Sequence, residues 1–163
     1  MPTTTRIGAA VTALHTAATA RPALSKVDVV DGPPLDWGEI QLPQNARGDG
    51  RRFLFIGAQP DSDTAAESTM DYNAAGAVSR DETFYVLCTV VGWQGGKSMK
   101  KSRDAAESVL AEVDKMIQAD PTLGGVVLYS RVATVDSLDQ PPNGRGASAP
   151  YVFRVACRAY LAP

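Results

Sequence analysis

One segment has the residue types of a phosphate-binding turn. Gly92-Trp93-Gln94-Gly95-Gly96-Lys97-Ser98 follows an apolar, strand-like run and precedes a helical one. Amides of a glycine-rich loop at a helix N-terminus can cradle a phosphate, and a lysine can reach its outer oxygens. The fingerprint needs a glycine where this chain has Val91, and starting from Gly92 leaves the loop one residue short for wrapping its amides around a phosphate. No strong apolar strand ends in an aspartate that would hold magnesium. The turn therefore reads as a strand-to-helix connection, and no cofactor is expected.

Other groups fare similarly. Asp61-Ser62-Asp63 followed by Glu67 has part of a calcium loop, without its third ligand, its turn glycine or its closing glutamate. A solvated acidic loop is expected there, and no metal site. His15 is the single histidine and sits at the edge of a polar helical face, so no histidine-based triad is expected. Cys88 and Cys157 lie in separate apolar runs, outside any Cys-x-x-Cys or Cys/His cluster, and read as two reduced, buried thiols. Asp104 and Glu107 read as first-turn helix carboxylates favoured by the macrodipole. Lys97, Lys100, Lys101 and Arg103, with Arg51-Arg52, could line a surface that passes DNA without reading it, against the plainer alternative of solubility.

The elements that must carry these residues follow from periodicity. Ile7, Ala10, Val11, Leu14, Ala17 and Ala18 form one thin apolar stripe of a helix that Thr3 or Thr4 would cap and Arg21-Pro22 would end. Val27-Asp28-Val29-Val30-Asp31 predicts a short strand closed by Gly32-Pro33-Pro34. Residues 35–52 read as loop, and Phe53-Leu54-Phe55-Ile56 as a buried strand. Residues 57–80 read as polar and irregular.

Residues 82–93 carry the strongest strand pattern. Phe84, Val86, Cys88 and Val90 point one way and Tyr85, Leu87, Thr89 and Val91 the other, which predicts a central strand. A second helix follows, with Met99, Ala106, Val109, Leu110, Val113, Met116 and Ile117 on one side. Lys100 with Asp104 and Arg103 with Glu107 can pair one turn apart. Asp120-Pro121 and Gly124-Gly125 stop it. Residues 126–135 and 151–161 then read as antiparallel strands around a loop containing Asn143 and Arg145. The resulting expectation is an α+β fold: a largely antiparallel or mixed sheet of about five strands with two helices packed on one face.

A chain of 163 residues suits one domain, here residues 1–163, with a core that requires neither metal nor disulfide. Its 44% hydrophobic and 21% charged content is that of a globular chain. Sixteen Lys and Arg against eighteen Asp and Glu give a formal charge of -2, so any nucleic-acid contact would have to be local. The Thr- and Ala-rich first segment lacks the basic end and dense apolar run of a signal peptide. Nothing approaches the roughly 20 apolar residues of a membrane helix, and no membrane partner is expected.

Several stretches together resemble the tail terminators of siphophages infecting actinobacteria. They are Val29-Val30-Asp31-Gly32-Pro33-Pro34, Arg80-Asp81-Glu82-Thr83-Phe84-Tyr85-Val86-Leu87-Cys88, Val91-Gly92-Trp93 and Ser102-Arg103-Asp104-Ala105-Ala106. Ala119-Asp120-Pro121-Thr122-Leu123-Gly124-Gly125 is the most telling, and Tyr151-Val152-Phe153-Arg154-Val155-Ala156-Cys157-Arg158-Ala159 fits as well. The resemblance implies a virion protein, assembled in the host cytoplasm, that forms a homohexameric ring on the head-proximal end of the tail. It would stop growth of the major tail tube protein and dock the head-completion or connector protein. A neck or head-completion adaptor is the alternative, and a small nucleotide-binding enzyme using the Gly95–Ser98 turn a remote one. On this reading no residue is catalytic. Arg51, Arg52, Asp61, Asp63, Lys97, Lys100, Lys101, Asn143 and Arg145 are the candidate assembly or DNA-lumen residues. The polar loops around Gly48, Asp63 and Asn143 are expected to order on assembly.

If the Gly92–Ser98 turn is only a connection, magnesium and ATP should leave the melting temperature unchanged in a thermal-shift assay. A clear upward shift would restore the nucleotide-binding reading.

Overall fold

A computed structural model describes residues 4–34, 37, 50–72, 79–95, 98–138 and 147–161. In chain order the elements are α1 (Ile7–Ala20), β1 (Asp28–Asp31), β2 (Arg51–Ile56), β3 (Ala66–Tyr72), β4 (Arg80–Gln94), α2 (Met99–Ala119), β5 (Tyr129–Leu138) and β6 (Ala147–Leu161). A single 3-10 turn, Pro22–Leu24, follows α1. The strands form one open, six-stranded mixed sheet in the order β1-β2-β4-β6-β5, with β3 also beside β4. Only β1 and β2 run parallel. The fold is α+β, as the periodicity predicts, with one strand more than expected.

β4 is the axis. It pairs with β6 from Arg80↔Leu161 to Gln94↔Ala147, and its other edge is shared by β2, opposite Cys88 to Trp93, and β3, opposite Arg80 to Val86. Leu87 spans the gap. Its carbonyl accepts from Ala58 N–H (2.9 Å) and its amide donates to the Ala65 carbonyl (3.0 Å). β2 and β3 are thus two segments of one antiparallel partner, with residues 59–64 looped out between them and narrowed by a bridge between Gln59 and Ser62.

β3 is the strand that residues 57–80 were expected to lack. Its sequence, Ala66-Glu67-Ser68-Thr69-Met70-Asp71-Tyr72, has no apolar alternation, because Glu67, Ser68, Thr69 and Asp71 are all exposed. A margin strand exposed on both faces has no burial pattern to display; the ladder with β4 creates it.

Both helices cover one face, where Phe84, Val86, Cys88 and Val90 of β4 meet Leu54, Ile56, Phe153, Val155 and Cys157. Ala10, Leu14 and Ala18 of α1 and Ala106, Val109, Val113 and Ile117 of α2 close over them. The helix stripes face the sheet as predicted, with Ile7, Val11, Ala17, Met99 and Leu110 only partly buried, and Ser102 joins them fully buried, its hydroxyl donating to the Ala147 carbonyl (2.8 Å). α2 approaches the sheet closely at Gly92. A β-carbon there would lie 2.1 Å from the Ser102 carbonyl oxygen and 2.8 Å from the Ala106 nitrogen. That glycine belongs to helix-on-sheet packing.

The ends of the helices correct two sequence expectations. α1 is not capped by Thr4; the carboxylate of Glu82, buried in the middle of the sheet, reaches its N-terminus and accepts from Arg6 N–H (2.7 Å) and from the Thr5 hydroxyl. Thr3 lies outside the described residues. Anionic oxygens at a helix N-terminus satisfy orphan amides and oppose the positive end of the dipole. α2 begins at Met99 with Ser98 Oγ accepting from Lys101 N–H (3.4 Å), so Asp104 and Glu107 fall beyond its first turn. Lys100 holds Asp104 (2.6 Å), as predicted, whereas Glu107 accepts from the Tyr151 hydroxyl (2.5 Å).

At the far end, Asp120 accepts from Thr122 N–H (3.1 Å), Thr122 Oγ1–H (2.7 Å) and Gly124 N–H (2.7 Å). These bonds, led by the Thr122 hydroxyl, hold its carboxyl below the usual range. Leu123, Gly124 and Gly125 all take positive φ, which two glycines accept readily. The Asp-Pro-Thr-Leu-Gly-Gly segment is a helix-stop turn.

Gly92→Ala should destabilise the fold by about 3 kcal/mol, lowering the melting temperature by roughly 6 to 12 °C. Gly8→Ala, on α1 with open space around it, should stabilise by about 0.5 to 1 kcal/mol. Calorimetry on both variants checks the contrast.

Candidate assembly surface

The face of the sheet away from the helices is divided. Toward the end of β4 it is covered: Phe53, Phe55, Ala58 and Val91 form a second, smaller apolar cluster with Val30 and Trp37 against it. Phe53 and Phe55 stack at 6.0 Å, and Trp37 meets Phe55 edge-on at 5.0 Å. Toward the start of β4 it is open. There Thr83 and Tyr85 alternate with buried Glu82, Phe84 and Val86, so β4 has two apolar faces over only part of its length.

The open half presents Tyr85, Tyr129 and Tyr160 at 38%, 48% and 45% exposure, with Arg131, Arg154 and Arg158 between them. Register puts Glu67, Tyr85, Ala156 and Arg131 in one row across four strands, and Thr69, Thr83, Arg158 and Tyr129 in the next. Arg158 binds Asp81 (2.5 Å), and Arg154 binds both Asp136 (2.7 Å) and Glu67 (3.1 Å), so the arginines are held in place across the strands. Exposed pairs of this kind add little stability. An uncovered, tyrosine- and arginine-rich strip of rigid sheet has the composition of the anchoring centres of protein interfaces.

The candidate residues distribute over two other places. Arg51 and Arg52 open β2, opposite Trp93 and Gly92, and so share one end of the sheet with the start of α2, where Lys100 and Lys101 are exposed. Arg51 binds Asp28 (2.6 Å) and lies 5.1 Å over the Phe53 ring, and Lys100 binds Asp104. Arg51 and Lys100 are therefore engaged within the chain. Lys97, Asn143 and Arg145 lie outside the described residues, as do Gly48 and Gly96. Asp61 and Asp63 are far along the β4 ladder from the basic end, exposed in the looped-out segment 59–64. Ser62 Oγ accepts from Thr64 N–H (3.1 Å) there, and the base of the loop is pinned at Leu87.

Periodicity did not single out the tyrosine strip. Alternation names the outward residues of each strand, but only register puts Tyr85, Tyr129 and Tyr160 on the same uncovered half. Glu82 was also missed as a functional group of the fold, because a strand-initial glutamate gives no signal of a helix 76 residues away in sequence.

Cys88 and Cys157 are free and buried in the helix-side core, as read from their runs. Desolvation pushes both thiols up to about 12. Among the described residues no group of three or more His, Cys, Asp or Glu is placed to hold a metal ion. No described helix is long and apolar enough to cross a membrane.

No protein-family model matches the chain, and no curated protein matches it.

Because the thiolate is the reactive form, both cysteines should resist an aromatic disulfide reagent at pH 8 in the folded protein and react fully in denaturant. Rapid labelling of native protein would contradict their burial.

Proposed function

We propose that this chain is a structural subunit of a long phage tail: a terminator that caps the head-proximal end of the tube as a ring and offers its far side to the head connector. The tyrosine strip is the observation that carries the reading. A sheet whose outer face is sealed at one end and left open at the other, with Arg154 and Arg158 held in ion pairs, is suited to binding other proteins. Its tertiary features point the same way. Gly92, the Asp120–Gly125 turn and both cysteines, which are the residues most suggestive of chemistry or most telling of the family, all have packing roles.

A terminator must bind the last tube ring on one surface and refuse another tube subunit on the opposite one, so it works through unlike surfaces. Several modest contacts made together by a ring hold more tightly than any one of them, because later contacts form at high effective concentration. No proton transfer, nucleophile or metal enters this mechanism. The basic end around Arg52, Lys100 and Lys101 fits a weak, sequence-independent contact with passing DNA or with a neighbouring subunit.

Electron micrographs of particles made without this protein test the reading. Tubes of uncontrolled, excessive length are expected. Tails of normal length that fail to join heads would instead identify a neck adaptor, and unaltered particles would exclude both.

A further inference from the structure

The sheet has two unlike margins. On one side lie β1, outside β2, and β3 with the pinned loop 59–64; on the other lies β5, and among the described residues β1, β3 and β5 each leave one edge without a strand partner. The β3 margin is acidic: Asp61, Asp63, Glu67 and Asp71 are exposed on it, and neither β3 nor the loop contains a lysine or arginine. The β5 margin is apolar on its outer side and carries one exposed arginine, Arg131. Arg158 of β6 is bound by Asp81, and the carboxylate of Asp136 by Arg154. Tyr129, Val135 and Leu138 of β5 are 48%, 50% and 36% exposed.

We propose that copies of this chain join side by side, with the β3 margin of one against the β5 margin of the next. The proposal rests on the ring reading above and names its contact surface. Charge disfavours joining two β3 margins. A like-to-like contact there would set Asp61, Asp63 and Asp71 against their own copies, Glu67 being held by Arg154, whereas an unlike contact sets them against Arg131 and an apolar row. Such a head-to-tail contact leaves one free margin of each kind after every addition, so it propagates until a ring closes. β5 also shifts register between Val132 and Thr134 and again between Val135 and Ser137. Irregular edges of this kind block continuous strand pairing, so the contact is made by side chains and not by an endless backbone ladder.

The test uses the full chain, with assembly followed by sedimentation velocity and native mass spectrometry. Wild type should form species larger than a dimer. Asp71→Lys and Arg131→Glu should each weaken association by at least about threefold per contact, and the double variant should recover most of the loss. A second arm uses cysteines introduced at Thr69 and Thr134, which are exposed on opposite margins. The chain carrying both should cross-link into a ladder beyond the dimer, and neither single variant should cross-link. Full assembly of both charge variants, or dimers from Thr69→Cys alone, would overturn the margin assignment while leaving the ring reading standing. A wild-type chain that stays monomeric both free and with tail tubes would overturn the two together.

Discussion

A strand buried through the middle of a sheet must satisfy its amides and carbonyls on both edges, because water cannot reach them. For β4 that requirement extends over fifteen residues, and the rest of the architecture answers it. β6 meets one edge along its whole length. No single segment meets the other. β2 covers the end, β3 covers the start, and Leu87 between them is satisfied by Ala58 and Ala65 at the base of an extruded loop. The acidic loop carrying Asp61 and Asp63 is thus a by-product of completing the ladder, and its fixed base puts those carboxylates at a defined place on the β3 margin.

The same strand ties the layers together. Glu82 carries a carboxylate through the helix-side face to the N-terminus of α1, and Gly92, ten positions on, lets the backbone of α2 come within contact of the sheet. One residue supplies charge and the other supplies the lack of a side chain, and each serves a helix distant in sequence. With the helix-side core closed by these contacts, the described residues leave exposed the tyrosine-bearing half of the opposite face and the sheet margins.

Motifs deserve to be judged by what surrounds them. The Gly92–Ser98 segment has the residue types of a phosphate loop and the wrong spacing, and its first glycine is accounted for by the nearness of Ser102 and Ala106. Asp120, at the head of the Asp-Pro-Thr-Leu-Gly-Gly segment, folds back on three donors in its own turn. A segment of this kind identifies a way of ending a helix, and its recurrence in a family would reflect the same demand on the chain.

Much of the fold was legible because burial is periodic. The alternation of residues 82–93, the stripes of both helices and the paired final strands each announce an element with one side turned inward, and all of them formed. β3 was not legible, since it buries almost nothing. The Glu82 cap was hidden because it joins positions far apart in sequence. By itself the sequence determined the α+β class, the centrality of β4 and the burial of Cys88 and Cys157, all consequences of local apolar pattern. Only the tertiary structure decided which tyrosines share an uncovered face, which acidic residues gather on one margin, and that β2 and β3 act as one strand, because register and layer coverage are set by pairings that no local pattern encodes.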